Sequence, residues 1–526
     1  MKKAKAKTPS FIHKIKLKTT PGQRKVLDIR LDVARQVYNA CLGESLKRLK
    51  LMRESKIYRE ALKMPKGKAR SRKFAEAREK YQFNEYDFHD YVSEIRSNTW
   101  LAKHIDSHTA QKVATRVFNA VAQYSYGKKG KPRFKGKNRF SSVEGKSNKT
   151  GIRFIDGKVI WGNKAKEKIT LIPEYDLKDK HGLEAYALSC GTKYVRLLKR
   201  IIKGNAVWYV QLIQEGMPYQ KGKNPVRNSV VGLDIGPSSI AICGDIHASL
   251  QAFCPQVNDH RKKLGKLQRK MSRASRANNP NNFEATTYKA NSNGRRIKKL
   301  GKCKKGVKNW VNSKKYKALK MKCAELNRKM AATRKVAHGE LANKVLSVGN
   351  VIKTEKLSYV AFQKNYGRSV GFRAPGMFVD MLKRKAESAG GKVIEFKTKT
   401  TKLSQSCHCG EQKKKQLKDR WHHCEACGVK AQRDLYSSFL ARFVNDNRLD
   451  TTQAKKAWAS ADILLGQAVS SLKETANSKF LLASFGLDQR LSSLLVEKES
   501  VKREALDVVS CAKVQERAKE SLLLCP

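Results

Sequence analysis

The period of the apolar positions changes along the chain, and each change marks an expected boundary. Residues 11–18 (Phe-Ile-His-Lys-Ile-Lys-Leu-Lys) alternate apolar and basic side chains, the period of two that a strand with one buried face requires. Thr19-Thr20-Pro21-Gly22 breaks the alternation, and Pro21 stands where a helix would begin. From Gln23 to about Leu51 the apolar residues Val26, Leu27, Ile29, Leu31, Val33, Val37 and Leu42 follow helical spacing. Residues 59–121 continue helical and highly charged, anchored by Trp100, Ile105 and Val117. Residues 21–125 are therefore expected to form a helical lobe. Short β-like runs then occur at 151–154, 158–161, 168–172, 194–198 and 207–214, with turn signals between them. Such runs suggest a small β-barrel over residues 1–20 and 126–222, completed by the strand near Phe11.

A polar Gly/Pro/Lys linker at 216–229 opens a new regime. Val230-Val231-Gly232-Leu233 is apolar enough for a strand buried on both faces, and Asp234 stands at its end. Ile235 to Ser239 turns the chain, and Ile240-Ala241-Ile242 can run back as a hairpin partner. Asn350-Val351-Ile352-Lys353-Thr354-Glu355 repeats the device, a strand leading to an acid. Residues 260–345 read as charged helix, interrupted by an Asn-rich break at 278–293 and a Lys/Gly-rich stretch at 298–308. Residues 446–526 read as an amphipathic helical extension without an evident catalytic motif.

Charge narrows the partner. The 526 residues include 112 Lys+Arg against 45 Asp+Glu, a formal net charge of +67. A compact chain this basic repels itself unless a polyanion neutralises it, and nucleic acid gains further from counterion release. A hydrophobic content of 40% spread along the chain excludes a merely disordered basic tail. The length exceeds one ordinary core and suggests about two to four domains. Residues 1–8 are basic with no apolar run after them, so a secretory signal is not expected. Twelve cysteines without such a signal suggest reduced thiols and a cytoplasmic setting. No apolar run reaches the roughly eighteen residues of a membrane span.

Four of those cysteines cluster. Cys407-His408-Cys409-Gly410 and Cys424-Glu425-Ala426-Cys427-Gly428 bring two close pairs together. Four thiolates so spaced make a closed tetrahedral zinc site, with no position left open for catalysis. Because the first pair is Cys-x-Cys, His408, His422 or His423 is an alternative ligand. Gln432-Arg433-Asp434 comes directly after, and Asp434 opens a helical pattern at the end where negative charge is favoured. Taken alone, Asp234 is a turn residue, Glu355 a solvated one and Asp434 an ordinary helix start. Together, on elements able to meet in one layer, they match the carboxylates of a two-cation phosphodiesterase holding Mg²⁺. Upstream, Gly127 to Lys135 forms a Gly/Lys loop with one aromatic, Phe134, which either stacks on a base or plugs the core.

These residues carry a resemblance. Gly232-Leu233-Asp234-Ile235-Gly236, Glu355, and Ser404-Gln405-Ser406-Cys407 through Gln432-Arg433-Asp434 resemble the RuvC-type domain of the TnpB (insertion-sequence OrfB) family, relatives of compact type V CRISPR effectors. Arg334-Lys335-Val336-Ala337-His338 and Pro132-Arg133-Phe134-Lys135 are similar to that family too. The resemblance covers roughly residues 10–445. It implies an α/β multidomain protein, with a helical recognition lobe in a β-barrel wedge and an RNase H-like RuvC nuclease domain over 223–402 and 429–445. A zinc-binding insertion would occupy residues 403–428.

The same resemblance implies a guide RNA that programs cleavage of double-stranded DNA. Asp234, Glu355 and Asp434 would be the catalytic magnesium ligands, and Cys407, Cys409, Cys424 and Cys427 the zinc ligands. Arg133, Phe134, Lys135, Arg334, Lys335 and Arg433 would meet nucleic acid. The family often has Asn-Ala-Ala one residue beyond the third acid, where this chain has Tyr436-Ser437-Ser438. The alternatives are a compact type V effector, a non-cleaving guided binder and a strand-transfer transposase.

Overall fold

A computed structural model describes residues 9–162, 168–291, 294–416, 419–475 and 485–487. The chain divides into two compact units, residues 1–221 and 222–526.

In the first unit, β1 (Ser10–Lys18) is followed by five helices: α1 (Pro21–Glu54), α2 (Lys56–Lys63), α3 (Lys68–Lys80), α4 (Glu85–Ser97) and α5 (Ser107–Ser125). The break at Thr19-Thr20-Pro21 works as its chemistry dictates. Thr20 caps α1, its hydroxyl taking the Gln23 N–H while the Gln23 side chain takes the Thr20 N–H, and Pro21 occupies the first turn. Leu27, Leu31, Ala34, Val37, Tyr38, Cys41 and Leu42 then bury one face of α1. Strands β2 (Ser142–Glu144), β3 (Ile152–Ile155), β4 (Lys158–Trp161) and β5 (Ile169–Glu174) come next. The short helix α6 (Leu183–Ser189) and the long hairpin β6 (Thr192–Ile202) and β7 (Asn205–Glu215) complete the unit.

All six strands expected from the pattern are present, and β2 is additional. They form one antiparallel sheet in the order β2-β6-β7-β1-β5-β4-β3. No ladder joins β2 to β3 among the described residues, so the sheet is an open curl with β3 brought back against β6. Trp161 and Trp208, both fully buried, belong to the core that it shares with the helices.

The second unit is built on β8 (Val230–Ile235), β9 (Ser239–Cys243) and β10 (Ala248–Ala252), an antiparallel meander. Helix α7 (Asn258–Asn278), the ribbon β11 (Thr287–Ala290) and β12 (Arg296–Lys299), and the 35-residue α8 (Lys314–Val348) come next. Then β13 (Val351–Glu355) runs parallel to β8, and β14 (Lys392–Phe396) runs parallel to β13 after α9 (Tyr359–Arg373) and α10 (Pro375–Ser388). The sheet order is β10-β9-β8-β13-β14.

A short α11 (Thr398–Thr401) leads to the cysteine-bearing segment, with its hairpin β15 (Trp421–His423) and β16 (Lys430–Gln432). Helix α12 (Arg433–Ala441) is next, then the two-residue strands β17 (Val444–Asn445) and β18 (Arg448–Leu449), α13 (Thr451–Lys456) and α14 (Trp458–Thr475). Of the helical extension expected over 446–526, α13 and α14 are observed, and the stretch beyond residue 475 lies outside the described residues except for 485–487. No described helix is long and apolar enough to cross a membrane.

Alternation along the strands separates two cores. Val231, Leu233, Ile240, Ile242 and Ile352 face the cluster built with α8 and α10. Ala241, Cys243 and Leu250 face the cluster built with α12 and α14. Gly232 and Asp234 of β8, and Lys353 and Glu355 of β13, therefore point to the α12 side.

Candidate active site and metal cluster

The acids converge through strand register. Lys353 pairs with Gly232 and Thr354 with Leu233, so one further residue sets Glu355 beside Asp234 on the same face. Helix α12 lies on that face, against β8, β9, β10 and β13. The approach is close: a Cβ at Gly232 would lie 1.9 Å from the Ser438 carbonyl oxygen. Only glycine lets the helix settle there, and this packing carries Asp434, in its first turn, toward the strand ends.

The three carboxylates sense their surroundings and one another. Burial raises Asp234 well above its ordinary range, and the neighbouring Asp434 and Glu355 raise it further, against the opposing pull of Arg433. Burial alone pushes Glu355 up to about 7. Burial also raises Asp434, countered by Arg433 and Arg420. The acids are thus brought into one electrostatic neighbourhood. Their oxygens are not gathered within 4.8 Å of one another, as the four thiols are among the described residues.

Cationic groups frame the acids. Arg433 donates to the Asp419 carbonyl at 2.7 Å and lies 3.4 Å from the Asp434 carboxylate. Arg420, whose charge also reaches Asp434, is not apparent from sequence because a lone arginine in a loop carries no signal. Buried Lys353 sits two residues before Glu355 and donates to the Val444 carbonyl and the Asn445 side-chain oxygen, each at 2.9 Å. That contact ties β17 to β13.

The cysteines form their own cluster. Cys407 and Cys427 Sγ are 3.5 Å apart, Cys409 and Cys424 Sγ 3.6 Å, and all four lie within 4.8 Å of one another. A tetrahedron of sulfurs about 2.3 Å from one zinc ion has edges of roughly 3.8 Å, so the donor set fits. Gly410 and Gly428 supply the turns at φ of +100° and +69°. At Cys424 burial pushes the thiol up, but the Cys427 N–H and neighbouring thiols outweigh it and draw it down to about 7. Four cysteines clustered this way can bind zinc without a histidine.

Two of the histidine alternatives, His408 and His422, are engaged elsewhere. His408 Nδ1 lies 2.9 Å from the Tyr436 hydroxyl, and its ring stacks on Trp458. His422 stacks on Tyr436 at 4.2 Å and contacts Lys415. His423 is exposed. Tyr436, in the segment where the chain departs from Asn-Ala-Ala, is thus a link. Its hydroxyl meets the Cys407 sulfur at 3.3 Å and takes the His408 N–H at 2.9 Å, two residues beyond Asp434. Ser438, the other end of that departure, supplies the carbonyl packed against Gly232.

The remaining expected residues are divided between the two units. In the first unit the Gly/Lys loop is pinned to α1. The Lys135 N–H donates to Asn39 Oδ1 at 2.8 Å, and Asn39 Nδ2 returns the bond to the Lys135 carbonyl at 3.0 Å. Phe134 stays 59% exposed, its ring near Gly43, so it does not plug the core, and Arg133 beside it is exposed. In the second unit Arg334 donates to the Phe372 carbonyl at 3.1 Å, while Lys335 is exposed.

Residues 376–439 match the family model of the Cas12f1-like TNB domain, which spans α10 through most of α12 and relates this segment to Cas12f1-like proteins. Among solved structures, a Cas12f1–sgRNA–target DNA complex is similar at 14% identity and TM-score 0.43, over 82% of this chain and 98% of that chain. A CRISPR-Cas12f ternary complex is similar at 12% identity and TM-score 0.27, over 79% and 81%. The mini-RNA-guided endonuclease CRISPR-Cas_phi3 is similar at 14% and 0.28, over 58% and 57%. No curated protein sequence matches.

Proposed function

We propose that this chain is an RNA-guided, Mg²⁺-dependent DNA endonuclease of the kind shared by TnpB proteins and compact type V effectors. The observation that carries the reading is the meeting of Asp234, Glu355 and Asp434 on one face of the second unit's sheet. Three antiparallel strands followed by two parallel ones support an RNase H-like core of the RuvC type. The TNB-type segment and the net charge of +67 support guide RNA and target DNA as partners.

The carboxylates fit hard cations. They offer only oxygen donors, and their raised proton affinity reflects negative charge held in a buried place that a cation would neutralise. Bound Mg²⁺ would supply Lewis-acid activation of water and stabilisation of the leaving oxygen. The protein's part is to hold the acids on rigid elements. Asp234 and Glu355 are fixed by strand register, and Asp434 by the α12 packing at Gly232. Arg433 steadies Asp434 and would meet a phosphate of the substrate. Zn²⁺ on Cys407, Cys409, Cys424 and Cys427 would be structural, bracing the hairpin that delivers α12.

The wedge over 1–20 and 126–222, with the helical lobe over 21–125, would hold guide and heteroduplex by their backbones, and base pairing would supply sequence choice. Asp234→Ala is expected to abolish Mg²⁺-dependent cleavage of guide-matched DNA while leaving RNA and DNA binding nearly intact. Wild-type cutting rates in that variant would refute the assignment.

A further inference from the structure

Between α7 and α8 the chain builds a braced neck that ends in a ribbon held out in solvent. At the neck, Arg276 lies 4.2 Å over the Phe283 ring and donates to the Gly301 carbonyl at 2.8 Å. Phe283 meets Trp310 edge-on at 5.8 Å. Asn279 takes the Val311 N–H at 2.7 Å and donates back to the Val311 carbonyl at 2.9 Å. The Glu284 N–H donates to the Lys302 carbonyl at 2.8 Å, and the Lys304 N–H to the Asn282 carbonyl at 3.0 Å.

Every residue of β11 and β12 beyond this neck is exposed. An isolated two-stranded ribbon is marginal in water, so the neck is what makes it a defined element.

The ribbon's chemistry names its partner. Residues 285–308 contain nine Lys and Arg and no acid. Register places Tyr288, Ala290, Arg296 and Lys298 on one face, and Thr287, Lys289, Ile297 and Lys299 on the other. Each face thus carries two cations beside one exposed large apolar side chain, Tyr288 at 55% and Ile297 at 53%. A two-stranded ribbon fits the major groove of B-form DNA, where cations on both faces meet the phosphates of both groove walls. The deep, narrow major groove of A-form RNA does not admit it.

We infer that the β11–β12 ribbon is a docking arm for B-form duplex DNA, with Lys289, Arg296, Lys298 and Lys299 as its phosphate contacts. The inference takes its partner from the DNA-cutting reading above, but its test does not depend on cutting. Full-length protein and the variant Lys289→Ala/Arg296→Ala/Lys298→Ala/Lys299→Ala are titrated into a short fluorescent DNA duplex and the matching RNA duplex, without added divalent ions.

All four side chains are exposed, so the variant should keep the wild-type thermal midpoint. DNA-duplex affinity is expected to fall at least about tenfold at near-physiological salt. Its log–log salt dependence should become shallower by about 3.6, since each of the four lost phosphate contacts removes about 0.9. RNA-duplex affinity should change less than about twofold, because A-form geometry excludes the ribbon. Unchanged DNA affinity and slope, or an equal or larger loss on RNA, would overturn the inference. Cleavage surviving in Asp234→Ala would sink the nuclease reading and leave this binding result standing.

Discussion

At the scale of single residues, Glu355 is the most informative. Burial holds it at about 7 against an ordinary 4.5, so in the ion-free protein the folded state keeps a proton that the unfolded chain gives up. The contribution to stability is therefore fully present below about pH 4.5 and is lost as pH rises through about 7. Over that window wild type should lose about 3 kcal/mol relative to Glu355→Gln, which does not titrate. Urea unfolding of both proteins between about pH 4 and 8, without divalent ions, measures it. Parallel pH profiles would mean that burial does not act on this carboxyl. Divalent-ion binding should show the opposite trend, since the carboxylates must ionise to serve as ligands.

Among elements, the pairing of α12 with β8 decides whether a site exists. The helix carries Asp434 and the strand carries Asp234, and Gly232 is where their backbones nearly touch. In Gly232→Ala the new methyl would meet a backbone carbonyl at 1.9 Å, which no side-chain rotation relieves. Helix and strand must part, and overpacking of this kind costs about 1–3 kcal/mol or more. The variant should unfold at correspondingly lower denaturant and cut more slowly with guide and target bound normally. Wild-type stability and cutting in Gly232→Ala would show that the close approach does not position the acid. The same helix explains why the Tyr436-Ser437-Ser438 departure is compatible with the acid site. Tyr436 packs against the cysteine cluster and Ser438 against the sheet, while Asp434 keeps its place in the first turn.

For the whole molecule, net charge governs how the nucleic-acid-free protein responds to salt. A net +67 must repel itself when no polyanion is bound, and salt screens that repulsion. Nucleic-acid-free protein should therefore show a thermal midpoint that rises between low and moderate salt, while its affinity for RNA falls steeply over the same range. Differential scanning fluorimetry alongside a salt-titrated binding assay tests both. A midpoint that falls with added salt would show that attractive ion pairs outweigh the excess of like charge. The ion pairs among the described residues are mostly local or surface ones, such as Arg48–Glu44 and Lys413–Glu425, which contribute little each.

Periodicity marked six of the seven strands of the first sheet, β8, β9 and β13 of the second, and the long helices, because alternation and helical spacing are written by local burial. Strands β2, β10 and β14 were not anticipated. The start of α1 at Pro21, the hairpin after Asp234 and the four-cysteine cluster were likewise legible, since each depends on residues close in the chain. Tertiary structure decided the rest. Phe134 was ambiguous until its loop was seen pinned to Asn39 with the ring in solvent, and a barrel was expected where the sheet curls open. The ligand role considered for His408 and His422 gave way to their packing against Tyr436 and Trp458. The convergence of Asp234, Glu355 and Asp434 depends on a parallel register between strands more than a hundred residues apart and on a glycine under a helix. Neither leaves a local pattern, because long-range register and close backbone approach are properties of packed surfaces.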